Sequence, residues 1–181
     1  MIPYRSVLYI PAANARAMEK ARTLSADAII FDLEDAVTPV EKLPARDLLA
    51  RALLADYGGR TRIVRINGLD TEWGEGDARA FAGLADAVLV PKVGRAADLD
   101  RVAALVPGAP LWAMMETPAG TLNAAAIVSA ASGSPHRARA PVATGGGRSL
   151  ACNRRTCCSN WLWAWRNAAA MTLPSFVLLQ P

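Results

Sequence analysis

The chain has 181 residues, 52% of them hydrophobic and 6% aromatic, with a formal net charge of +4 at pH 7. That length suits one domain with a sizeable buried core. No run is long and apolar enough to span a membrane, and the N-terminus lacks the basic-then-apolar layout of a signal peptide, so a cytoplasmic protein without a membrane partner is expected.

In chain order, Arg5–Ala12 is an apolar run of strand type, and Asn14 can cap a helix through Met18, Ala21 and Leu24. Ala28–Asp35 is the second strand. Thr38-Pro39-Val40-Glu41 predicts a capping box with proline at the first helical position, and Pro44 predicts a restart of that helix, with Leu48, Leu49 and Leu53 as its apolar stripe. Arg62–Asn67 is the third strand, followed by a helix over Ala78–Leu84. Ala87–Val93 is the fourth strand, followed by a helix over Ala96–Leu105. Pro110–Thr117 is the fifth strand, followed by a helix over Ala119–Ala131. The strands are Val/Ile/Leu-rich without strict polar alternation, as in parallel sheets buried on both faces.

Strands alternating with helices predict an α/β fold, which doubly wound sheets and barrels share. Polar residues at the strand ends separate the two. The second run ends in Asp32-Leu33-Glu34-Asp35, the third in Arg65-Ile66-Asn67, the fourth in Pro91-Lys92 and the fifth in Glu116-Thr117-Pro118. Charged groups at consecutive strand ends would meet at one mouth, as at the C-terminal face of a TIM barrel. No glycine-rich phosphate loop follows the first strand, which counts against a dinucleotide-binding sheet.

The series Arg5-Ser-x-Leu-Tyr-Ile-Pro11, Asp32-Leu-Glu-Asp-Ala-Val37, Val64-Arg-Ile-Asn67, Val90-Pro-Lys92 and Met115-Glu-Thr-Pro-x-Gly120 resembles the HpcH/HpaI aldolase and citrate lyase beta-subunit family over about residues 4–131. The resemblance implies the first five units of a TIM (β/α)8-type barrel. It also implies a carbon–carbon lyase supported by Mg2+, cleaving citryl-CoA or a related acyl-CoA thioester to an oxaloacetate-like 2-oxo acid and acetyl-CoA. It places Arg65 and Glu116 on substrate, Glu116 on the metal, and Asp32, Glu34 and Asp35 around the mouth. Glu34 or Asp35 would orient a metal-bound water or move a proton. Arg65 would offer a fork to a carboxylate. A 2-oxo acid aldolase without CoA is the alternative enzyme, and a non-catalytic remnant or binding protein is the alternative class. The partners implied are a small-molecule substrate and, for a complete barrel, copies of the same chain; no nucleic acid is implied.

Each assignment has a structural rival. For Arg65 it is an ion pair inside the barrel, and for Glu116 a solvated strand end. For Asp32, Glu34 and Asp35 it is capping or ion pairing, and for Lys92 neutralisation of nearby acids. Arg5 would close the barrel floor or pair with an acid. Arg16 and Lys20 would reach CoA phosphates or form a solvated helix face.

The tail departs from this pattern. Residues 134–181 hold six arginines, no lysine, no acid, all three cysteines (Cys152, Cys157 and Cys158), the lone His136 and three of the five tryptophans, whereas residues 1–133 hold all 16 acids. No Asp or Glu follows Glu116, so the second carboxylate ligand that the resemblance implies is missing. The cysteines lack zinc spacing, and Trp161, Trp163 and Trp165 alternate as in an amphipathic strand, with a nucleic-acid surface beside the six arginines only the minor reading. The composition matches an off-frame reading of GC-rich coding DNA, which predicts a frameshift between about residues 130 and 147. Two units are thus expected: a partial barrel lyase domain over 1–133 and an atypical basic tail, not a domain, over 134–181. Five strands alone would leave two open edges and a bare apolar face.

Overall fold

A computed structural model describes residues 4–133 and 177–179. Five parallel strands, β1 (Val7–Pro11), β2 (Ala28–Asp32), β3 (Thr61–Arg65), β4 (Ala87–Val90) and β5 (Leu111–Met115), lie side by side in sequence order. The connections carry α1 (Ala15–Ala21), α2 (Lys42–Ala52), α3 (Gly74–Phe81) and α4 (Ala96–Leu105), and α5 (Pro118–Leu122) and α6 (Ala124–Gly133) follow β5. The order is that of a sheet growing in one direction, with no reversal of the kind that makes a doubly wound switch point.

The two faces of the sheet differ. Ile29, Phe31, Val64, Val88 and Ala113 belong to one buried cluster, which also takes Met18 from α1, Leu49 from α2, Phe81 from α3, Val102 from α4 and Ile127 from α6. The alternate residues Ala28, Ile30, Ile63, Leu89, Trp112 and Met114 form a second cluster with no helical member. The helix residues in the two apolar clusters thus all belong to the first, so the described helices cover one face of the sheet. Tyr4 and Val7 are the described residues packed on the inner cluster, with the Tyr4 ring 5.6 Å from that of Trp112 and its hydroxyl 2.8 Å from Thr61 Oγ1.

Several local expectations are corrected. The inner face is not bare: its core residues are at most 2% exposed. One of the two edges is also closed, because β6 (Val177–Leu179) pairs antiparallel with β5, Met115 opposite Val177. The Thr38–Glu41 capping box does not form. Thr38 Oγ1 donates to Glu41 Oε2 at 2.6 Å instead of capping the backbone, and Pro39–Glu41 is a 3-10 turn leading into α2. Pro44 sits in the first turn of α2 rather than restarting it, since a first-turn proline lacks only an N–H that would be unbonded anyway. The α3 helix begins four residues earlier than its apolar pattern suggests, at Gly74. The expected 119–131 helix is split at Asn123, whose Nδ2 donates to Gly94 O at 2.8 Å. Asn14 caps α1 as expected, accepting from Ala17 N at 2.9 Å.

No helix among the described residues is long and apolar enough to cross a membrane. The expectations for Cys152, Cys157, Cys158, His136, the three tail tryptophans and the frameshift lie outside the described residues.

Candidate active site

Strand alternation brings the charged residues together. Side chains two apart share a face, so the inner face that carries Ile30 and Ile63 continues to Asp32 and Arg65 at the strand ends. The β2–β3 register sets these two directly side by side. The face that carries Trp112 and Met114 continues to Glu116. The face of Val7 continues to Tyr9, whose ring lies 5.6 Å from the Arg65 guanidinium carbon.

Arg65 is 6% exposed and its fork closes on Asp32: Nε donates to Oδ1 at 2.7 Å and Nη2 donates to Oδ2. Asp32 is 2% exposed and also accepts from the backbone N–H of Glu34 at 2.8 Å and of Ala36 at 3.2 Å. The expected fork for a substrate carboxylate is thus spent on a protein carboxylate. Nη1 donates to Met114 Sδ at 3.6 Å and lies 3.1 Å from Glu34 Oε2 and 3.6 Å from Asp35 Oδ2. Burial works against the Arg65 charge, but the Asp32 contacts outweigh it and hold the guanidinium above its ordinary value. Burial pushes the Tyr9 hydroxyl up to about 12.

Glu34 is 7% exposed and faces two cations. Lys92 Nζ donates to its Oε1, and Arg65 Nη1 lies beside its Oε2, yet Oε2 is buried without a hydrogen bond. Burial raises the Glu34 carboxyl above the usual glutamate value, against the pull of Lys92 and Arg65. Asp35, by contrast, has a 62% exposed side chain, 3.4 Å from Lys92 Nζ.

Glu116 follows the last residue of β5, and the sequence around it explains its placement. Thr117 Oγ1 accepts from Gly120 N at 3.0 Å and caps α5, with Pro118 at the first helical position. Gly120 leaves room for a backbone: a Cβ there would sit 2.2 Å from Val93 O. Glu116 Oε1 accepts from the backbone N–H of Lys92 at 2.8 Å, and Oε2 takes no hydrogen bond among the described residues. Glu116 can therefore offer one hard oxygen to a cation. No group of three His, Cys, Asp or Glu suited to a metal exists among the described residues.

A cleft of about 630 Å3 opens from Glu34 and Asp35 past Lys42 and Trp73 to Arg95 and Arg101; Arg65 and Glu116 do not line it. Lys42 is 6% exposed and donates to the carbonyls of Leu33 (2.7 Å) and Glu34, with its ammonium 5.6 Å from the Trp73 ring centre. Burial lowers its ammonium below the ordinary lysine value. Asn67 does not reach this cleft's acids: its Nδ2 donates to Leu33 O at 3.0 Å and to Asp77 Oδ2 at 2.6 Å, and Arg46 Nε donates to Asp77 Oδ1 at 2.7 Å.

The structure thus brings Asp32, Glu34, Asp35 and Arg65 into one ion-paired cluster, linked to Glu116 through Lys92. Tyr9 and Lys42 were not singled out by the sequence. The alternation of β1 was a usable signal for Tyr9. Lys42 had none, because a lysine in a first helical turn ordinarily points to solvent. Arg5 takes the second of its two expected roles and pairs with an acid, its Nη2 3.3 Å from Asp27 Oδ1. Arg16 and Lys20 are exposed.

A sequence model of the HpcH/HpaI aldolase/citrate lyase family matches residues 5–135. The (3S)-malyl-CoA thioesterase of Cereibacter sphaeroides (strain KD131 / KCTC 12085) is 68% identical over 127 residues, which cover 69% of this chain and 45% of that protein. The citrate lyase subunit beta of Escherichia coli (strain K12) is 37% identical over 139 residues, covering 70% and 46%. The solved citrate lyase beta subunit from M. tuberculosis complexed with oxaloacetate and magnesium superposes with a TM-score of 0.61 at 32% identity, covering 71% of this chain and 54% of that one. A complex of the CitE protein from that organism with magnesium, acetoacetate and coenzyme A superposes with a TM-score of 0.59 at 31% identity, covering 71% and 45%. The chain spans about half the length of the curated relatives it matches.

Proposed function

Because the chain belongs to the HpcH/HpaI aldolase/citrate lyase family, we propose that residues 1–133 carry the N-terminal part of a (β/α)8 barrel and one side of an active site for a short hydroxyacyl-CoA thioester. Residues 134–181 are read as a tail and not as a second domain; of them, Val177–Leu179 adds an antiparallel strand to β5. The observation that carries this reading is the chain of contacts across the ends of parallel strands: Arg65 Nη1 lies 3.1 Å from the unsatisfied Oε2 of Glu34, and Lys92 joins Glu34 through its ammonium to Glu116 through its backbone N–H.

In this reading Arg65 binds the acid end of the substrate through Nη1, and Asp32 holds the guanidinium in plane. Glu34, its carboxyl raised by burial, takes or returns a proton at the substrate hydroxyl, and Asp35 supports the charge of Lys92. Removal of the hydroxyl proton lets the adjacent carbon–carbon bond break, giving a 2-oxo acid and the enolate of acetyl-CoA. Glu116 would hold magnesium, which supplies positive charge to an oxygen that becomes anionic. The donor set fits that ion only in part. Magnesium is commonly bound through one or two protein carboxylates, Glu116 provides one, and both oxygens of Glu34 face cations. The chain as written is therefore expected to show little magnesium-dependent turnover.

A malyl-CoA-like substrate is preferred to citryl-CoA, because the relative named for malyl-CoA is 68% identical and the citrate lyase subunit 37%. The thioesterase name of the former favours a second reading, in which water attacks the thioester carbonyl at the same mouth. The motifs do not single out that reaction.

A chimera tests the proposal: residues 1–133 joined to the remaining half of the Cereibacter thioesterase, assayed with malyl-CoA for acetyl-CoA, for free malate and for citryl-CoA cleavage. The expected result is turnover of malyl-CoA that falls at least about 100-fold in Arg65→Met and Glu116→Gln, the loss typical of removing one charge-stabilising group. A folded chimera that is inactive, or indifferent to both substitutions, would overturn the reading.

A further inference from the structure

Lys92 is the only non-glycine residue with a positive φ among the described residues, at 52°. A left-handed backbone costs any residue with a Cβ, and glycine would adopt it freely. Backbone geometry alone therefore does not call for lysine here. What the lysine adds is a second contact. From the left-handed position its backbone N–H donates to Glu116 Oε1 at 2.8 Å, while its ammonium donates to Glu34 Oε1 and lies 3.4 Å from Asp35 Oδ1. The next residue, Val93, turns its carbonyl against Gly120, so the same turn sets the entry of α5 behind Glu116. Strained backbone held in place by several contacts at once is a mark of functional positions.

We infer that Lys92 is a positioning residue: one strained residue braces Glu116 with its backbone and Glu34 with its side chain, coupling the β2 and β5 sides of the mouth. Two consequences follow from this geometry. Glu116 is left with a single oxygen, Oε2, for a ligand or cation. Glu34 is held with Oε1 on the ammonium, so that Oε2 stays against Arg65 rather than rotating away. The inference rests on reading this mouth as the active site.

Four variants of the full chain test it without turnover, so its failure and the failure of the proposed function are distinguishable. Lys92→Met keeps length and strain but removes the ammonium, and the NMR signals of the Arg65 guanidinium and the Glu34 carboxyl are expected to shift. Lys92→Arg is expected to restore them. Lys92→Gly and Lys92→Ala both remove the side chain, and only the first relieves the backbone. Lys92→Gly is therefore expected to melt about 2–4 °C above Lys92→Ala. Unchanged Arg65 and Glu34 signals in Lys92→Met would overturn the side-chain half. A Lys92→Gly variant melting no higher than Lys92→Ala would overturn the backbone half. A Lys92→Met variant that does not fold would make the lysine structural and overturn the inference outright.

Discussion

Asp32 and Arg65 face each other across β2 and β3 in a site that is nearly closed to water, 2% and 6% exposed. Two charges there are tolerated only because the fork and two backbone N–H groups satisfy the carboxylate. Removing one partner of such a pair leaves the other uncompensated. Asp32→Ala is therefore expected to cost about 3 kcal/mol in denaturant unfolding, the low end for buried pairs, since Glu34 still faces Arg65. Arg65→Lys is expected to lose the two-point contact and to be destabilised as well, because an ammonium cannot span both oxygens. The residues of this cluster were legible in the sequence as acids and bases at strand ends. Their partition was not. Which side of Arg65 the acids take depends on the strand register, and register is a long-range property that no local pattern encodes.

At the scale of elements, the two rims of the sheet use different chemistry. At the N-terminal rim the sequence repeats Ala-Asp-Ala at the start of β2 and β4, as Ala26-Asp27-Ala28 and Ala85-Asp86-Ala87. Each aspartate accepts from the backbone N–H at the start of the preceding strand segment, Asp27 from Arg5 and Ser6 and Asp86 from Arg62. Burial tends to raise Asp86, but the Arg62 contacts outweigh it and hold the carboxyl below the ordinary value of 3.8. A depressed folded-state value contributes stability that is fully present above 3.8 and is lost as the pH falls below it through the folded value. Asp86→Asn is expected to reduce stability at neutral pH and to flatten the acid limb of a stability–pH curve; an unchanged acid limb would contradict the assignment. At the C-terminal rim, Gly120→Ala would force a Cβ to within 2.2 Å of Val93 O and is expected to cost about 1–3 kcal/mol, as overpacking does, read as a lower unfolding midpoint. The five strands and most helix faces were visible as apolar runs and stripes. The split at Asn123 was not, because the alanine run that follows it continues a helical pattern and the break is fixed by a contact to Gly94 far away in the chain.

For the molecule as a whole, alternation within strands decides where chemistry can sit. One face meets the helices through Leu49, Phe81 and Val102, and the other is apolar below and charged at its C-terminal end. The order of strands and helices predicted an α/β fold, and the polar strand ends placed the chemistry at one end of the sheet. The fold is now visible as five parallel strands in sequence order with the helix residues of the apolar clusters on a single face. The charge asymmetry of the chain has a direct consequence at the mouth. No Asp or Glu follows Glu116, Glu34 faces Lys92 and Arg65, and the exposed Asp35 lies 3.4 Å from Lys92 Nζ and 3.6 Å from Arg65 Nη1, so Glu116 Oε2 is the oxygen without a cation beside it among the described acids of the site. Calorimetric titration of the full chain with oxaloacetate, with and without magnesium, tests this most directly. The account predicts no measurable magnesium-dependent binding; tight binding that appears only with the metal would contradict it.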